Sequence, residues 1–440
     1  MIDLIDKTAA IEHLLDVIEE NRLVVLCGAG LSMAPPSNLP SANAIALDVK
    51  NKCISSGHTV PDSLELQADH FIQNGRFSTY FLGRLISEDS FATKSNNGHE
   101  AIADFLLSRA VFAAVSTNVD FLIEAAGQGL FGHINGFLDG VEAANCPNDR
   151  SPLLKIHGCW TKDRNNTVWT PKQLDADPIK TRIEHSANWL NLNLRNKELL
   201  VVGFWSDWNY LNSVLSVALG AVHPSAITII DPSETSALKQ KAPELCAIGI
   251  GNNISFKHVQ GCGATFLDEL RNSFSRKFFR KAVNQGRNSF IHTTGLQYEE
   301  SWLDLPAHTD SHSLHMIRRD IEGREPNEPA RLSEPENNTL VGLTISQLQA
   351  KGAVLNGAYW QLGDKTVRVL RSAKLIHDIR KIFCSESSPL GAADIVICVG
   401  ADDRNQPSNI LREGTQTNVV RGGLSGKWLT SQQACEELDL

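Results

Sequence analysis

The sequence predicts an α/β fold, a Rossmann-like parallel sheet with a helical insertion, followed by a smaller C-terminal α/β domain. Three observations carry this. Short apolar runs recur through the first 260 residues with helically patterned segments between them. A glycine-rich turn follows the first run, and the composition shifts beyond about residue 285.

Ile11, Leu14, Leu15 and Ile18 recur at helical spacing, which predicts an amphipathic helix over 7–20. Leu23–Cys27 is wholly apolar and ends at Gly28-Ala29-Gly30, as a buried strand would. Similar runs lie at 111–115, 153–156, 199–202, 226–230 and 256–259. Strands apolar on both faces belong to parallel sheets covered by helices on each side. Residues 43–108 hold few such runs but show helical pattern at 63–68 and 77–82. A helical insertion there would sit over the carboxyl edge of the sheet, where α/β folds bind ligands. A helix over 264–281 closes the first domain, assigned to 1–285. Residues 286–340 read as a loop or linker, because 317–338 is charged and proline-containing without apolar period. The remainder, 341–440, has strand-like 367–370 and 393–399 and helix-like 373–383. It reads as an assembly or partner-docking domain.

Composition narrows the function. The 440 residues carry a net charge of -9, so no global basic field exists to hold a nucleic-acid backbone, and no direct nucleic-acid binding is expected. The short basic stretch Arg276-Lys277-Phe278-Phe279-Arg280-Lys281 reads as a solvated helix face. No apolar run approaches the roughly 18 residues of a membrane span, and the opening residues lack a signal-peptide pattern. Nine cysteines, an odd number with no C-x-x-C pair, suit reduced thiols in a cytoplasmic protein and predict no zinc site. His308, His312 and His315 could share a helical face as metal ligands. Pro306 and the polar run beside them favour a solvated loop instead.

The turn Gly28-Ala29-Gly30-Leu31-Ser32 is the first chemical signal. A pyrophosphate can approach backbone N–H groups closely only where side chains are absent. The same turn also reads as a tight strand–helix connection. A dehydrogenase fingerprint requires a third glycine at position 33, occupied here by Met33, and only Asp48 offers a ribose anchor about 20 residues on. Hydride transfer is therefore disfavoured.

Further motifs follow predicted strands: Leu39-Pro40-Ser41 after the turn, then Ser116-Thr117-Asn118-Val119-Asp120, Lys155-Ile156-His157-Gly158 and Gly203-Phe204-Trp205-Ser206-Asp207. Together with the turn, over about residues 10–275, they resemble the sirtuin-like (Sir2-type) superfamily. The departures matter. No glutamine precedes Asn118, no cysteine pairs are present, and no arginine follows Pro40. In these respects the chain resembles the sirtuin-like NADases of bacterial anti-phage defence, among them the HerA-associated kind. That resemblance implies an NAD glycohydrolase that cleaves NAD, as substrate, to nicotinamide and ADP-ribose. It would work in abortive anti-phage defence, as a homo-oligomer or with a HerA-type ATPase partner, and under control of assembly. It assigns catalysis to Asn118 and His157, and cofactor binding to Gly28, Ala29, Gly30, Ser32, Asp120, Gly203, Ser206, Asp231 and Cys262. An NAD-dependent protein deacylase and a non-catalytic dinucleotide-binding sensor are the alternative functions.

Residue chemistry agrees with these roles and leaves others open. His157 suits general-base work because imidazole ordinarily titrates near physiological pH; it also reads as a satisfied core histidine at a strand end. Asn118 offers a donor and an acceptor to a ribose hydroxyl and a water, or caps the next helix. Asp120 accepts from a nicotinamide carboxamide, as the family's matching aspartate does, or caps a helix.

Overall fold

The structure is a computed structural model that describes residues 2–203, 224–241, 243, 254–328, 335–383, 393–402 and 426–440. The chain divides into two compact units, Met1–Leu270 and Arg271–Leu440.

The N-terminal unit is built on eight strands: β1 (Ile2–Leu4), β2 (Leu23–Cys27), β3 (Ala113–Ser116), β4 (Gly136–Phe137), β5 (Leu153–Lys155), β6 (Glu198–Val202), β7 (Ala226–Asp231) and β8 (Ser255–Gln260). They lie in the order β1-β8-β7-β6-β2-β3-β5-β4, and every pairing is parallel. The apolar runs thus form the predicted parallel sheet. β2, β5 and β6 are buried at every position, β2 as an unbroken apolar run, β5 and β6 with one charged residue each, Lys155 and Glu198. The edge strand β1 and the two-residue β4 escaped the sequence reading because neither has a run long enough to stand out. β2 sits at the middle, with β3 on one side and β6 on the other, so the strand order reverses there. Cys27 stands opposite Ser116 and Val202, and Ser116 opposite Lys155. This level register brings the loops after β2, β3, β5 and β6 out side by side.

Helices cover both faces. α1 (Lys7–Glu19) is capped by Asp6, whose carboxylate accepts from the Thr8 and Ala9 amides. After β2 the chain makes one helical turn, α2 (Ala29–Met33). The insertion follows: α3 (Ala42–Ser55), capped by Ser41, α4 (Leu64–Gln73), capped by Ser63, and a π-helical stretch over Phe77–Leu85. It has its own core, in which Ile45, Val49, Leu64, Phe71, Phe81 and Phe91 pack with Trp160 and Trp169. α5 (Asn97–Leu107) falls within the range read as insertion but is buried at Gly98, His99 and from Ala101 to Leu107, and leads into β3. It is the crossover helix of the sheet, so the added segment ends before it. α6 (Leu122–Gly129) follows β3.

In the C-terminal unit, β9 (Val354–Asn356), β10 (Tyr359–Leu362), β11 (Lys365–Arg371), β12 (Ile395–Val399) and β13 (Lys427–Thr430) form a sheet in the order β13-β12-β11-β10-β9. β9 to β11 are antiparallel; β11 to β13 are parallel. The stretch 286–340 is largely helical rather than a linker, with helices Arg287–Thr294, Ser311–Glu322 and the start of Pro335–Ala350. The helix Ser311–Glu322, capped by Asp310, is buried from Ser313 to Glu322 despite its charges. Its acids and bases are paired in the interior: Arg318 with Glu322, and Asp320 with Arg368 through contacts of 2.6 and 2.8 Å. His312 and His315 lie on this helix rather than in a loop. Among the described residues no group of three His, Cys, Asp or Glu side chains has metal-binding geometry, and no helix is long and apolar enough to cross a membrane.

Candidate ligand site at the carboxyl edge of the sheet

A cavity of about 590 Å³ opens where β2, β3 and β5 end, a volume within the range of small-molecule sites. Its polar wall is Ala29, Gly30, Ser32, Thr117, Asn118, Asp120 and His157. The opposite walls come from the insertion and the 168–169 segment: Leu39, Pro40, Ile45, Leu64, Phe91, Val168 and Trp169, with Ser63 and Glu65 at the start of α4. Six predicted residues therefore line one space: Ala29, Gly30, Ser32, Asn118, Asp120 and His157.

The others lie elsewhere. Gly28 caps α2 and its carbonyl accepts from Asn118 Nδ2 at 3.2 Å. Gly203 follows β6, Asp231 ends β7, and Cys262 lies just beyond β8; none of the three lines the cavity. Asp231 is buried and accepts from the Ser233 amide at 2.7 Å, while Cys262 is exposed. Ser206 lies outside the described residues.

The glycines have a packing reason of their own. Gly30 N–H donates to the Gly203 carbonyl at 2.8 Å, and a β-carbon on Gly30 would sit 2.9 Å from that oxygen. Gly203 adopts φ +60, and a β-carbon there would lie 2.2 Å from the Leu31 nitrogen. The loops after β2 and β6 cross at backbone contact, which only glycine permits.

The polar wall is a connected network centred on Ser32. The Asn96 amide donates to His99 Nδ1 at 3.2 Å, which puts the proton of the neutral ring on Nε2. Nε2 then donates to Ser32 Oγ at 3.0 Å, and Asn118 Nδ2 donates to the same oxygen at 3.0 Å. Ser32 passes its own proton to Asp120 Oδ2 at 2.8 Å. With two bonds accepted and one donated, the hydroxyl is saturated by its protein partners, and its proton is directed to Asp120. The second carboxylate oxygen, Oδ1, accepts from the Leu122 amide at 3.2 Å, so Asp120 faces the cavity and tethers the start of α6 at once. Asn118 does not cap a helix; its amide is spent on Gly28 and Ser32. Beneath them the buried Lys155 ammonium donates to the Asp120 carbonyl and to Glu124 at 3.2 Å.

His157 is buried at the end of β5. Burial pushes its imidazole down to about 3, the Arg182 guanidinium acts in the same direction, and a hydrogen bond with the Thr117 backbone opposes both. The imidazole, which ordinarily titrates near physiological pH, is thus held neutral there. His99 is likewise held at about 4, chiefly by burial. His99 is the member of the site that sequence reasoning missed. The available signal was the capping pattern Asn96-x-x-His99 ahead of an apolar helix, which reads as a helix start and not as chemistry.

A parallel α/β unit with one polar-walled cavity beside its central strand is the class that fold and site define. The sequence matches no protein-family model. It matches no curated protein. Among solved structures it is similar to one from a study of the mechanism and regulation of Sir2 enzymes (TM-score 0.37, 16% identity, 61% of this chain and 97% of that one). It is also similar to a Sir2 homologue–NAD complex (TM-score 0.36, 19% identity, 60% and 94%) and to Sir2Tm bound to a propionylated peptide (TM-score 0.35, 14% identity, 60% and 98%).

Proposed function

We propose that the chain binds NAD along the carboxyl edge of the N-terminal sheet and hydrolyses it to nicotinamide and ADP-ribose. The observation that carries this reading is the cavity wall on which Asn118, Asp120 and His157 stand together beside the glycine turn. From β8 to β5 the expected cofactor residues succeed one another along adjacent strand ends: Cys262, Asp231, Gly203, Gly28 to Ser32, Asp120, then His157. At about 4.8 Å per strand this row is roughly 24 Å long, which suits an extended dinucleotide with its reactive end in the cavity.

Cleavage of the nicotinamide–ribose bond passes through an oxocarbenium-like state with a leaving group that departs neutral, so no strong acid is required. Asp120 supplies negative charge close to that developing positive charge, and the Asn118 carbonyl oxygen can hold a ribose hydroxyl or the attacking water. His157, neutral at the end of β5, can orient the ribose or the attacking water by hydrogen bonding, and an oxocarbenium ion is captured by water without a strong base. Unrestrained NAD loss would kill the cell, so we place the activity under control of assembly or a partner, in the setting of abortive anti-phage defence, with a HerA-type ATPase as the partner to test first.

The decisive assay follows nicotinamide and ADP-ribose from NAD without peptide, in the chain alone and with candidate partners. Equimolar products from wild type, and loss of turnover by at least about 10²-fold in Asn118→Ala, are expected. Undiminished turnover in Asn118→Ala sinks the site. Acyl-ADP-ribose formed in step with peptide deacylation replaces hydrolysis with deacylation.

A further inference from the structure

One short segment, Asn96-Asn97-Gly98-His99, is directed at the turn that bears Ser32. Asn96 Nδ2 donates to the Leu31 and Ala34 carbonyls at 2.8 and 3.1 Å, which ties the start of α5 to the chain on both sides of Ser32. Gly98 allows the approach: a β-carbon there would lie 2.5 Å from Leu31 Cδ1 and 2.9 Å from Ala264 Cα. His99, fully buried, then reaches Ser32 Oγ.

We propose that His99 is a positioning residue for this site, whose Nε2–H fixes the Ser32 hydroxyl rotor so that its proton goes to Asp120 and its remaining lone pair receives Asn118. A serine hydroxyl carries one proton and two acceptor positions. Were the ring to accept from Ser32, the hydroxyl would have no proton for Asp120, and the carboxylate would lose its link to the β2 turn. The Asn96 amide on Nδ1 prevents that reversal by reserving the tautomer. Burial keeps the ring neutral, so the relay keeps one polarity across the physiological range. His99 thereby orders the two side chains that the proposed function places against the ribose, without touching substrate. The inference rests on that function for its catalytic consequence and on the hydrogen bonds alone for its mechanism.

Glutamine is the discriminating substitution. At the third position of a helix its carbonyl oxygen can accept from the Asn96 amide while its NH₂ donates to Ser32. Leucine fills the space and makes neither bond. On NAD turnover, His99→Leu is expected to lower kcat on the order of 10²-fold with KM changed less than about threefold, and His99→Gln to restore most of that loss. Because His99 acts through Ser32, the double variant Ser32→Ala/His99→Leu should be no slower than the slower single variant. A His99→Leu rate within about twofold of wild type, a His99→Gln as slow as His99→Leu, or losses that multiply in the double variant each overturn the proposal. Should His99→Leu not fold, His99→Gln, Ser32→Ala and their combination carry the comparison. If wild type consumes no NAD, the proposed function fails, and the relay is judged by ¹⁵N-histidine NMR at pH 7. A neutral ring protonated on Nε2 supports it; an Nδ1–H ring or an imidazolium refutes it.

Discussion

Two neutral histidines buried in the N-terminal unit make its stability fall in mild acid, well above the range where carboxylates titrate. His99 is held at about 4 and His157 at about 3 in the folded chain, against about 6.5 once unfolded. Near pH 5 the unfolded chain therefore binds nearly two more protons at these histidines than the native one. Stability rises with pH wherever the unfolded state binds more protons, so here it is lost as pH falls. Each proton contributes a slope of about 1.4 kcal/mol per pH unit. From pH 7.5 to pH 5 each histidine removes about 2 kcal/mol, and the pair about 4 kcal/mol, a large share of a native margin of about 5–15 kcal/mol. Hydrogen exchange read on peptides covering 23–32 and 113–120, corrected for intrinsic rates, measures this opening in the sheet without involving the C-terminal unit. His99→Gln removes one titrating group, so its slope should be about half that of wild type, whatever its stability at pH 7.5. Equal slopes in wild type and His99→Gln would refute the reasoning, because they would mean that the ring is already charged or already exposed in the native state.

Gly203→Ala should destabilise the N-terminal unit by more than 1 kcal/mol, through a left-handed backbone and a clash with the Leu31 nitrogen, while Gly129→Ala, with nothing within 4 Å, should not destabilise it; thermal melts of the two variants decide this, and equal melting points would contradict it. Cys262 is exposed whereas Cys27, with its thiol pushed up to about 12 by burial, is inert, so iodoacetamide should label Cys262 and spare Cys27 in the folded chain. Saturating NAD should slow labelling of Cys262 if the adenosine end reaches β8, and an unchanged labelling rate would confine the ligand to the β2–β5 cavity.

The parallel sheet was readable because burial on both faces leaves an unbroken apolar run, as in Leu23–Cys27 and 199–202. Asn118, Asp120 and His157 were readable through the motif resemblance, and each follows a strand whose parallel register carries its end to one edge. Two things were not readable, for one shared reason. The charged segment around Arg318, Arg319, Asp320 and Glu322 reads as solvated because charge normally marks surface, yet its members pair with one another and with Arg368 in the interior. His99 reads as part of a helix cap because its partner, Ser32, is 67 residues away. Asp320 and His99 take their meaning from partners distant in sequence, Arg368 and Ser32, which periodicity within one element does not encode.

The glycine turn shows the same limit from the opposite side. Taken alone, Gly30 invites a phosphate, since no side chain blocks the approach. In the folded chain the place a side chain would take is filled by Gly203, and its N–H is spent on the Gly203 carbonyl. A second glycine is thus needed after β6 because there is one after β2. The crossing holds the β2 loop in the position from which Ser32 meets His99, Asn118 and Asp120. A substitution that opens the crossing should loosen that network before any ligand contact is lost. Fold and site here depend on one backbone contact, so stability and turnover should fall together in Gly203 variants, whereas His99→Gln should keep most of the turnover while halving the acid slope of stability.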